Sequence, residues 1–405
     1  MELETTNSIV SEAELSTEHQ RARWYRWYAA CKYILPAYVA IHIAFFITSC
    51  LAVLFTRPDF DWHTSRLYTL WQSWDRWDTG HFTYIATRGY TELWRTAFFP
   101  LYPLLIKGVM LFTHNPFTAG LLISNVAMFV ACVVLYQLVL EDFDQERAER
   151  TVLYLLLFPT SFFLATAYNE ALFLCLALTC FYNIRRGNWW LVGLSGFCAS
   201  LTRSAGLFLV VPFCYEYLRQ RQFRLRAIRL DVLSIALIPA GVALFALYCY
   251  RRFGDFLAFS HAQVYWNRKL EPPWEGIIGS LHAMQISGGI LNFQFLRNLL
   301  DLAPDMLFLV CIVLSLVGPW RFPRSHRAYT LYAGVLYLFF HLVPNGGTGL
   351  YPLESIARFM LELFPVFIVL ATLGKYRMVH LNYLLIAGSI LFFLLTQFLT
   401  GHWVL

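Results

Sequence analysis

Long apolar runs separated by short polar clusters dominate this 405-residue chain. The longest, at 33–55, 117–140, 232–250 and 381–400, each approach the roughly 20 residues a helix needs to cross about 30 Å of hydrocarbon. Period-two alternation, the mark of a membrane barrel, is absent, so spanning helices are expected. The pattern predicts spans at 33–55, 117–140, 151–168, 171–185, 189–203, 204–218, 232–250, 303–320, 328–343, 359–374 and 381–400. The four between 151 and 218 are short, which predicts tilted or re-entrant pieces among them. The run 97–112 is apolar, but Pro100 and Pro103 remove backbone donors, so an interfacial or half-inserted piece is expected there. The predicted fold class is an all-α polytopic membrane protein with about 10–13 transmembrane helices.

Composition agrees: 58% of residues are hydrophobic and only 14% charged, against about 25% charged in soluble domains. Basic residues set the orientation. With the N-terminus inside, the inner segments collect Arg21, Arg23, Arg26, Lys32, Arg147, Arg150, Arg185 and Arg186. They also hold Arg219, Arg221, Arg224, Arg226, Arg229, Arg321, Arg324, Arg327, Lys375 and Arg377, which makes 18 of the 31 Lys and Arg. The short outer loops hold only Arg203 and Arg358. This predicts a cytoplasmic tail at 1–32, acidic and unlike a signal peptide, followed by one transmembrane domain at 33–405. Two long outer loops interrupt that domain, at 56–116 and 251–302.

The nine cysteines fall in or beside spans with no paired spacing, so neither a disulfide framework nor a metal site is expected, and no cofactor. The net charge of +6 follows from topology and calls for membrane lipids, not nucleic acid.

The polar residues that remain gather on the outer side. The first loop carries Trp77 between Asp75 and Asp78, then His81 and Glu92. If 74–82 is helical, Asp75, Asp78 and His81 share one face, because side chains three apart are neighbours. Asp78 before Thr79-Gly80 also reads as a helix cap, and Asp75 as a partner for Arg76 or Arg95. Tyr168-Asn169-Glu170 and Thr202-Arg203-Ser204 follow, then Asp255, His261, Trp266, Asn267 and Trp274. The last outer loop is Pro344–Gly349, ending at Glu354 and Arg358. Charges inside a membrane cost about 2.5–3.5 kcal/mol each on insertion scales, so Glu170 and Arg203, flanked by apolar helix, are expected to be paired or functional.

Several of these blocks together resemble a known family. Trp77-Asp78-x-x-His81-Phe82, Ala97-Phe98-Phe99-Pro100-Leu101-Tyr102-Pro103, Phe158-Pro159-Thr160-Ser161, Tyr168-x-Glu170-Ala171, Arg203-Ser204-x-Gly206 and Arg358-Phe359…Phe364-Pro365 resemble, in that order, the motifs of the GPI mannosyltransferase 2 (PIG-V) family. The resemblance covers residues 70–210 and 350–370; Ala205 stands where that family often has Asn, and a prokaryotic relative with another acceptor would fit. The resemblance implies a GT-C-like bundle whose active site lies in the first outer loop. It implies a mannosyltransferase, hence an enzyme, that takes mannose from a polyprenyl (dolichyl) phosphate donor to a lipid-linked glycan acceptor. The membrane would be that of the endoplasmic reticulum in a eukaryote, or the plasma membrane in a prokaryote.

Sugar transfer with inversion needs a base, a hold on the leaving phosphate, and alignment of two substrates. Asp78 is the expected base, with His81 beside it as a positioning group. Arg203 and Arg358 are expected at the phosphate, since guanidinium presents fixed, permanently charged forks. Asp75, Glu92, Tyr168, Glu170 and Trp77 complete the expected substrate-binding set. The alternatives are a transporter or flippase of lipid-linked sugars, a GT-C enzyme using another polyprenyl-phosphate sugar, and a structural scaffold.

Overall fold

A computed structural model describes residues 2–56, 68–344 and 349–402, with side chains for 24–54, 69–344 and 349–402. The tail acids Glu2–Glu18 and the tip Asn345–Thr348 of the last expected outer loop lie outside the described side chains. The described chain is all-helical, with 3₁₀ turns between helices. In order the helices are α1 (Glu2–Thr56), α2 (Tyr68–Gln72), α3 (Asp78–Arg88), α4 (Leu101–Thr113), α5 (Pro116–Asp142) and α6 (Gln145–Leu157). Then come α7 (Glu170–Arg186), α8 (Trp189–Thr202), α9 (Val210–Gln220), α10 (Leu237–Phe253), α11 (Ala258–His261) and α12 (Glu275–Ile286). The chain finishes with α13 (Phe293–Leu316), α14 (Arg327–His341), α15 (Ile356–Phe359), α16 (Phe364–Leu373) and α17 (Arg377–Leu399).

Five stretches among the described residues are long and apolar enough to cross a membrane: Trp24–Leu54, Pro116–Asp142, Leu230–Phe253, Phe293–Leu316 and Arg377–Leu399. The protein is a multi-pass membrane protein. The expected span 359–374 is broken by a bend of 85° between Ile356–Glu362 and Phe364–Leu373. Pro365 explains the break, because it lacks an N–H and pushes the preceding backbone out of the helical region. The other expected spans are shorter helices such as α8, with 14 residues and about 21 Å of rise. Their ends continue into 3₁₀ turns, Ser161–Leu164 before α7 and Ser204–Leu209 after α8. Pro100 and Pro103 lie at the cap and in the first turn of α4, where no intrahelical donor is needed.

The bundle is built around α7, which packs between α5 and α8, while α16 packs on α6 and α14 on α9. Its core is aromatic: Phe173 and Phe181 of α7 are fully buried, and Phe181 meets Tyr329, Tyr332 and Phe364. Outward positions stay greasy, with Ile43, Phe46 and Ile47 on α1 and Leu385, Ile386 and Phe392 on α17 exposed, as lipid contact requires. All nine cysteines are unpaired, and four of them are buried. The end of α7 that carries Arg185 and Arg186 meets α5, α9 and the turn before α14. The opposite end, which begins at Glu170, meets the first loop and α15.

Candidate functional site

Asp75, Asp78 and His81 do not share one helix face. α2 stops at Gln72, and Trp77 takes a left-handed backbone (φ 48°), so the helix restarts at Asp78. A bulky residue in that conformation ends regular helix on its N-terminal side. Asp75 is left in the turn, exposed, beside a small cavity shared with Gln72, Ser73 and Arg76. The cavity walls strip part of the solvent from its carboxyl and raise it above the usual range, and neighbouring Arg76 opposes the shift. Asp78 opens α3 and His81 follows one turn later on the same helix.

A chain of buried polar contacts fixes Asp78. Its backbone N–H donates to the Tyr168 hydroxyl at 3.2 Å, and that hydroxyl donates to the Arg76 carbonyl at 3.2 Å. Ser124 Oγ donates to the Tyr168 carbonyl at 2.7 Å and shares a 2.7 Å hydrogen bond with the Tyr102 hydroxyl. The Gly120 carbonyl, 2.9 Å from the Tyr102 hydroxyl, is an alternative acceptor for the Tyr102 proton. The Phe-Phe-Pro-Leu-Tyr-Pro block is therefore connected to Asp78 through Tyr102, by way of Ser124 and Tyr168.

The charged centre lies where α3, α7, α8 and α15 converge. Arg358 places Nη1 2.9 Å from Asp78 Oδ2 and Nε 2.9 Å from Glu170 Oε1. Arg203 places Nη1 2.9 Å from Glu170 Oε1 and Nε 3.0 Å from Glu362 Oε1, and Nη1 donates to Asn169 Oδ1 at 3.1 Å. The side chains of Glu170 and Glu362 are 1% and 0% exposed, those of Arg203, Arg358 and Asp78 between 12% and 14%. Desolvated ions at this depth persist only when paired. Asp78 and Glu170 are also the first residues of their helices, where the backbone dipole favours negative charge. Three guanidiniums surround the Phe359 ring: Arg203 at 4.9 Å, Arg358 at 5.3 Å and Arg268 at 5.0 Å from its centroid.

Local sequence explains each placement. Gly206 sits so close to α8 that a Cβ would meet the Ala199 carbonyl carbon at 2.4 Å, so the Arg-Ser-x-Gly block needs glycine to hold Arg203 at the helix end. Thr160 Oγ1 donates to the Ala357 carbonyl at 2.9 Å, so the Pro-Thr-Ser block holds the helix that carries Arg358. Not every carboxylate atom is satisfied. Glu170 Oε2 and both oxygens of Glu362 are buried without a hydrogen bond, and the Arg203–Glu362 contact is a charge contact without hydrogen-bond alignment.

His81 lies in an aromatic pocket, with ring centroids 4.8 Å from Phe98, 5.2 Å from Trp94 and 6.2 Å from Trp266. Burial lowers its pKa below the usual histidine value, with Asp78 pulling the other way, so the ring is neutral near pH 7. Glu92 is exposed and pairs with Arg95 at 2.9 Å, outside the charged centre. Trp77 is 39% exposed.

The chain matches the mannosyltransferase (PIG-V) family over residues 44–274, more than half its length. It belongs to the PIG-V family. Among curated relatives, GPI alpha-1,6-mannosyltransferase 2 of Rattus norvegicus is 31% identical over 302 residues, covering 64% of this chain and 60% of the rat protein. GPI mannosyltransferase 2 of Yarrowia lipolytica is 25% identical over 190 residues, 46% of this chain and 49% of that protein. The chain thus spans about 60% of the length of the rat relative. Among solved structures, the apo oligosaccharyltransferase of Archaeoglobus fulgidus aligns with 90% of this chain and 56% of its own, at 11% identity and a TM-score of 0.44.

Within this PIG-V family member, the structure brings together Asp78, Tyr168, Glu170, Arg203 and Arg358, and sets His81 beside them. It leaves Asp75 and Glu92 at the periphery. Two charged members escaped the sequence reading. Glu362 lies four residues after Arg358 in an otherwise apolar run, and that spacing was its signal. Arg268 lies in the long segment 251–302, the expected second outer loop, where nothing local marks it.

Proposed function

We propose that this chain is an integral-membrane mannosyltransferase. It moves a mannosyl residue from a polyprenyl (dolichyl) phosphate donor to a hydroxyl of a lipid-linked glycan, with inversion, on the extracytoplasmic side. The observation that carries the reading is Asp78, its backbone held at a helix start by Tyr168 and its carboxylate by Arg358, within a charged centre of a PIG-V family chain. The names of the rat and Yarrowia relatives support mannose as the sugar. The gathering of inner-loop arginines at the opposite end of α7 supports the extracytoplasmic location.

The acceptor hydroxyl attacks C1 of mannose as the bond from C1 to the phosphate oxygen breaks. The hydroxyl proton passes to Asp78, and polyprenyl phosphate leaves with the electron pair. Asp78 as positioned base is worth about 10²–10⁴ in rate. A carboxylate tied to a guanidinium is a poor base, so the donor phosphate has to compete for Arg358 and free Asp78 for the acceptor. Arg203, held between Glu170 and Glu362, backs that arrangement, and the unpartnered Glu170 Oε2 is an acceptor for a sugar hydroxyl. Neutral His81 with Trp94, Phe98 and Trp266 offers flat faces to the C–H surfaces of a hexose.

The test is transfer by purified protein from radiolabelled polyprenyl-phosphate mannose into a lipid extract, with unlabelled polyprenyl-phosphate glucose as competitor. Label that enters lipid, resists the glucose donor and is released by an α-specific mannosidase supports the reading. Release by a β-specific mannosidase contradicts inversion from a β-linked donor, and donor binding without any product favours a transporter of lipid-linked sugars.

A further inference from the structure

Of the three guanidiniums around Phe359, two are committed to carboxylates and one is not. Arg358 reaches Asp78 and Glu170, and Arg203 reaches Glu170 and Glu362. Arg268 rests on the Phe359 ring at 5.0 Å and has no carboxylate within ion-pairing distance among the described residues. Its backbone explains how it gets there. The 3₁₀ turn Ala262–Trp266 ends at Asn267 in the left-handed conformation (φ 55°), and the Arg268 N–H returns to the Gln263 carbonyl at 3.1 Å. The reversal sends two neighbouring side chains to two parts of the site. Trp266 packs on Trp94, Phe98 and His81, and Arg268 enters beside Arg203 and Arg358. Three residues further on, the Glu271 N–H donates to the Leu342 carbonyl and pins the loop to the end of α14.

A cation brought this close to two others by a dedicated turn, without a carboxylate partner among the described residues, is placed to take an external anion. We propose that Arg268 is the main ligand of the lipid-linked phosphate of a polyprenyl phosphate sugar, a phosphodiester in the donor and a phosphate monoester once the sugar has left, with the hexose lying against Trp266 and His81. The proposal rests on the transferase reading for the identity of the lipid, and on the geometry alone for the anion. Burial first, and then the charges of Arg358 and Arg203, also push Arg268 down to about 10, with the carboxylates of Asp78 and Glu354 opposing them. A phosphate group offsets the neighbouring positive charges, whereas a neutral lipid does not. Unlike Arg203 and Arg358, Arg268 need give up no carboxylate to bind it.

The experiment uses the full chain in detergent and measures equilibrium binding of farnesyl phosphate, farnesol and inorganic phosphate, plus binding to phosphatidylinositol vesicles. Wild type is compared with Arg268→Gln, Arg268→Lys and the exposed control Arg88→Gln, with melting curves confirming that each is folded. Arg268→Gln is expected to weaken farnesyl phosphate at least tenfold, with Arg268→Lys between it and wild type. Farnesol binding and Arg88→Gln should stay at the wild-type level. Farnesyl phosphate binding that is unchanged in folded Arg268→Gln overturns the proposal. Arg268-dependent binding to phosphatidylinositol vesicles or to inorganic phosphate that matches farnesyl phosphate also overturns it, in favour of a headgroup or free-phosphate site. If Arg268-dependent binding holds but no mannosyl transfer is found, the transferase reading fails and the anion site stands. If transfer occurs and the donor KM ignores Arg268, the site fails and the transferase reading stands.

Discussion

The two ends of α7 carry buried ion networks of similar composition, about 25 Å apart by helical rise, and they differ in how completely they are satisfied. At the far end Arg185 contacts Asp142 at 2.9 Å and Glu216 at 3.4 Å, and donates to the Ser325 carbonyl at 2.8 Å. Asp142 also accepts from the Tyr329 hydroxyl at 2.6 Å, and Glu216 from Arg219 Nε at 2.7 Å and Gln220 at 3.2 Å. Every carboxylate oxygen there has a partner. At the Glu170 end, among the described residues, three carboxylate oxygens lack hydrogen bonds and one guanidinium lacks a carboxylate. Saturated networks hold helices together. An unsaturated one retains bonding capacity for a further partner.

Substitutions at the two ends should therefore separate activity from stability. The largest expected effect is at the open end: Glu170→Gln should lower mannosyl transfer by about 10²-fold or more, with little change in melting temperature, since electrostatic preorganisation is lost while packing is kept. Equal loss of fold and activity would blur the contrast. At the closed end, Arg185→Met leaves Asp142 and Glu216 buried with less compensation and should cost about 3–5 kcal/mol of stability. Transfer per folded molecule should change only a few-fold, read by calorimetry beside an initial-rate assay.

Smaller effects sharpen the picture. Gly206→Ala has to displace the α8 backbone and should cost about 1–3 kcal/mol, with a fall in activity because Arg203 moves with it. His81 adds a pH signature. Its pKa in the fold is lowered below 6.5 by burial, so the unfolded chain binds the proton first. Its contribution is full above about pH 6.5 and declines as pH falls through and below that value. A melting-temperature profile from pH 7.5 to 5 should thus drop less steeply for His81→Gln than for wild type.

Much of this site was legible in the sequence because charge stands out in an apolar chain. Glu170, Arg203 and Arg358 are ions flanked by hydrophobic helix, and the structure joins them directly. Asp78 was legible from its aromatic surroundings and its register with His81. The helical register of Asp75 was not, since it depends on the left-handed turn at Trp77, which local pattern does not reveal. Glu92 pairs with Arg95 and remains at the surface. Arg268 was hidden for a different reason: it lies in a long loop and acquires its neighbours only when α8 and α15 arrive from distant parts of the chain. Helix lengths were legible in part. Hydropathy located the apolar segments and Pro365 marks the bend of 85° between Ile356–Glu362 and Phe364–Leu373, but the 3₁₀ turns at 161–164 and 204–209 are not marked by the hydropathy pattern.

The most direct test of the account is mannosyl transfer from radiolabelled polyprenyl-phosphate mannose by purified wild type and Asp78→Asn, with donor binding and melting temperature measured on both. The account predicts a loss of about 10²–10⁴ in rate for Asp78→Asn, with the fold and donor binding retained. A folded, donor-binding Asp78→Asn protein that transfers mannose at the wild-type rate would contradict it.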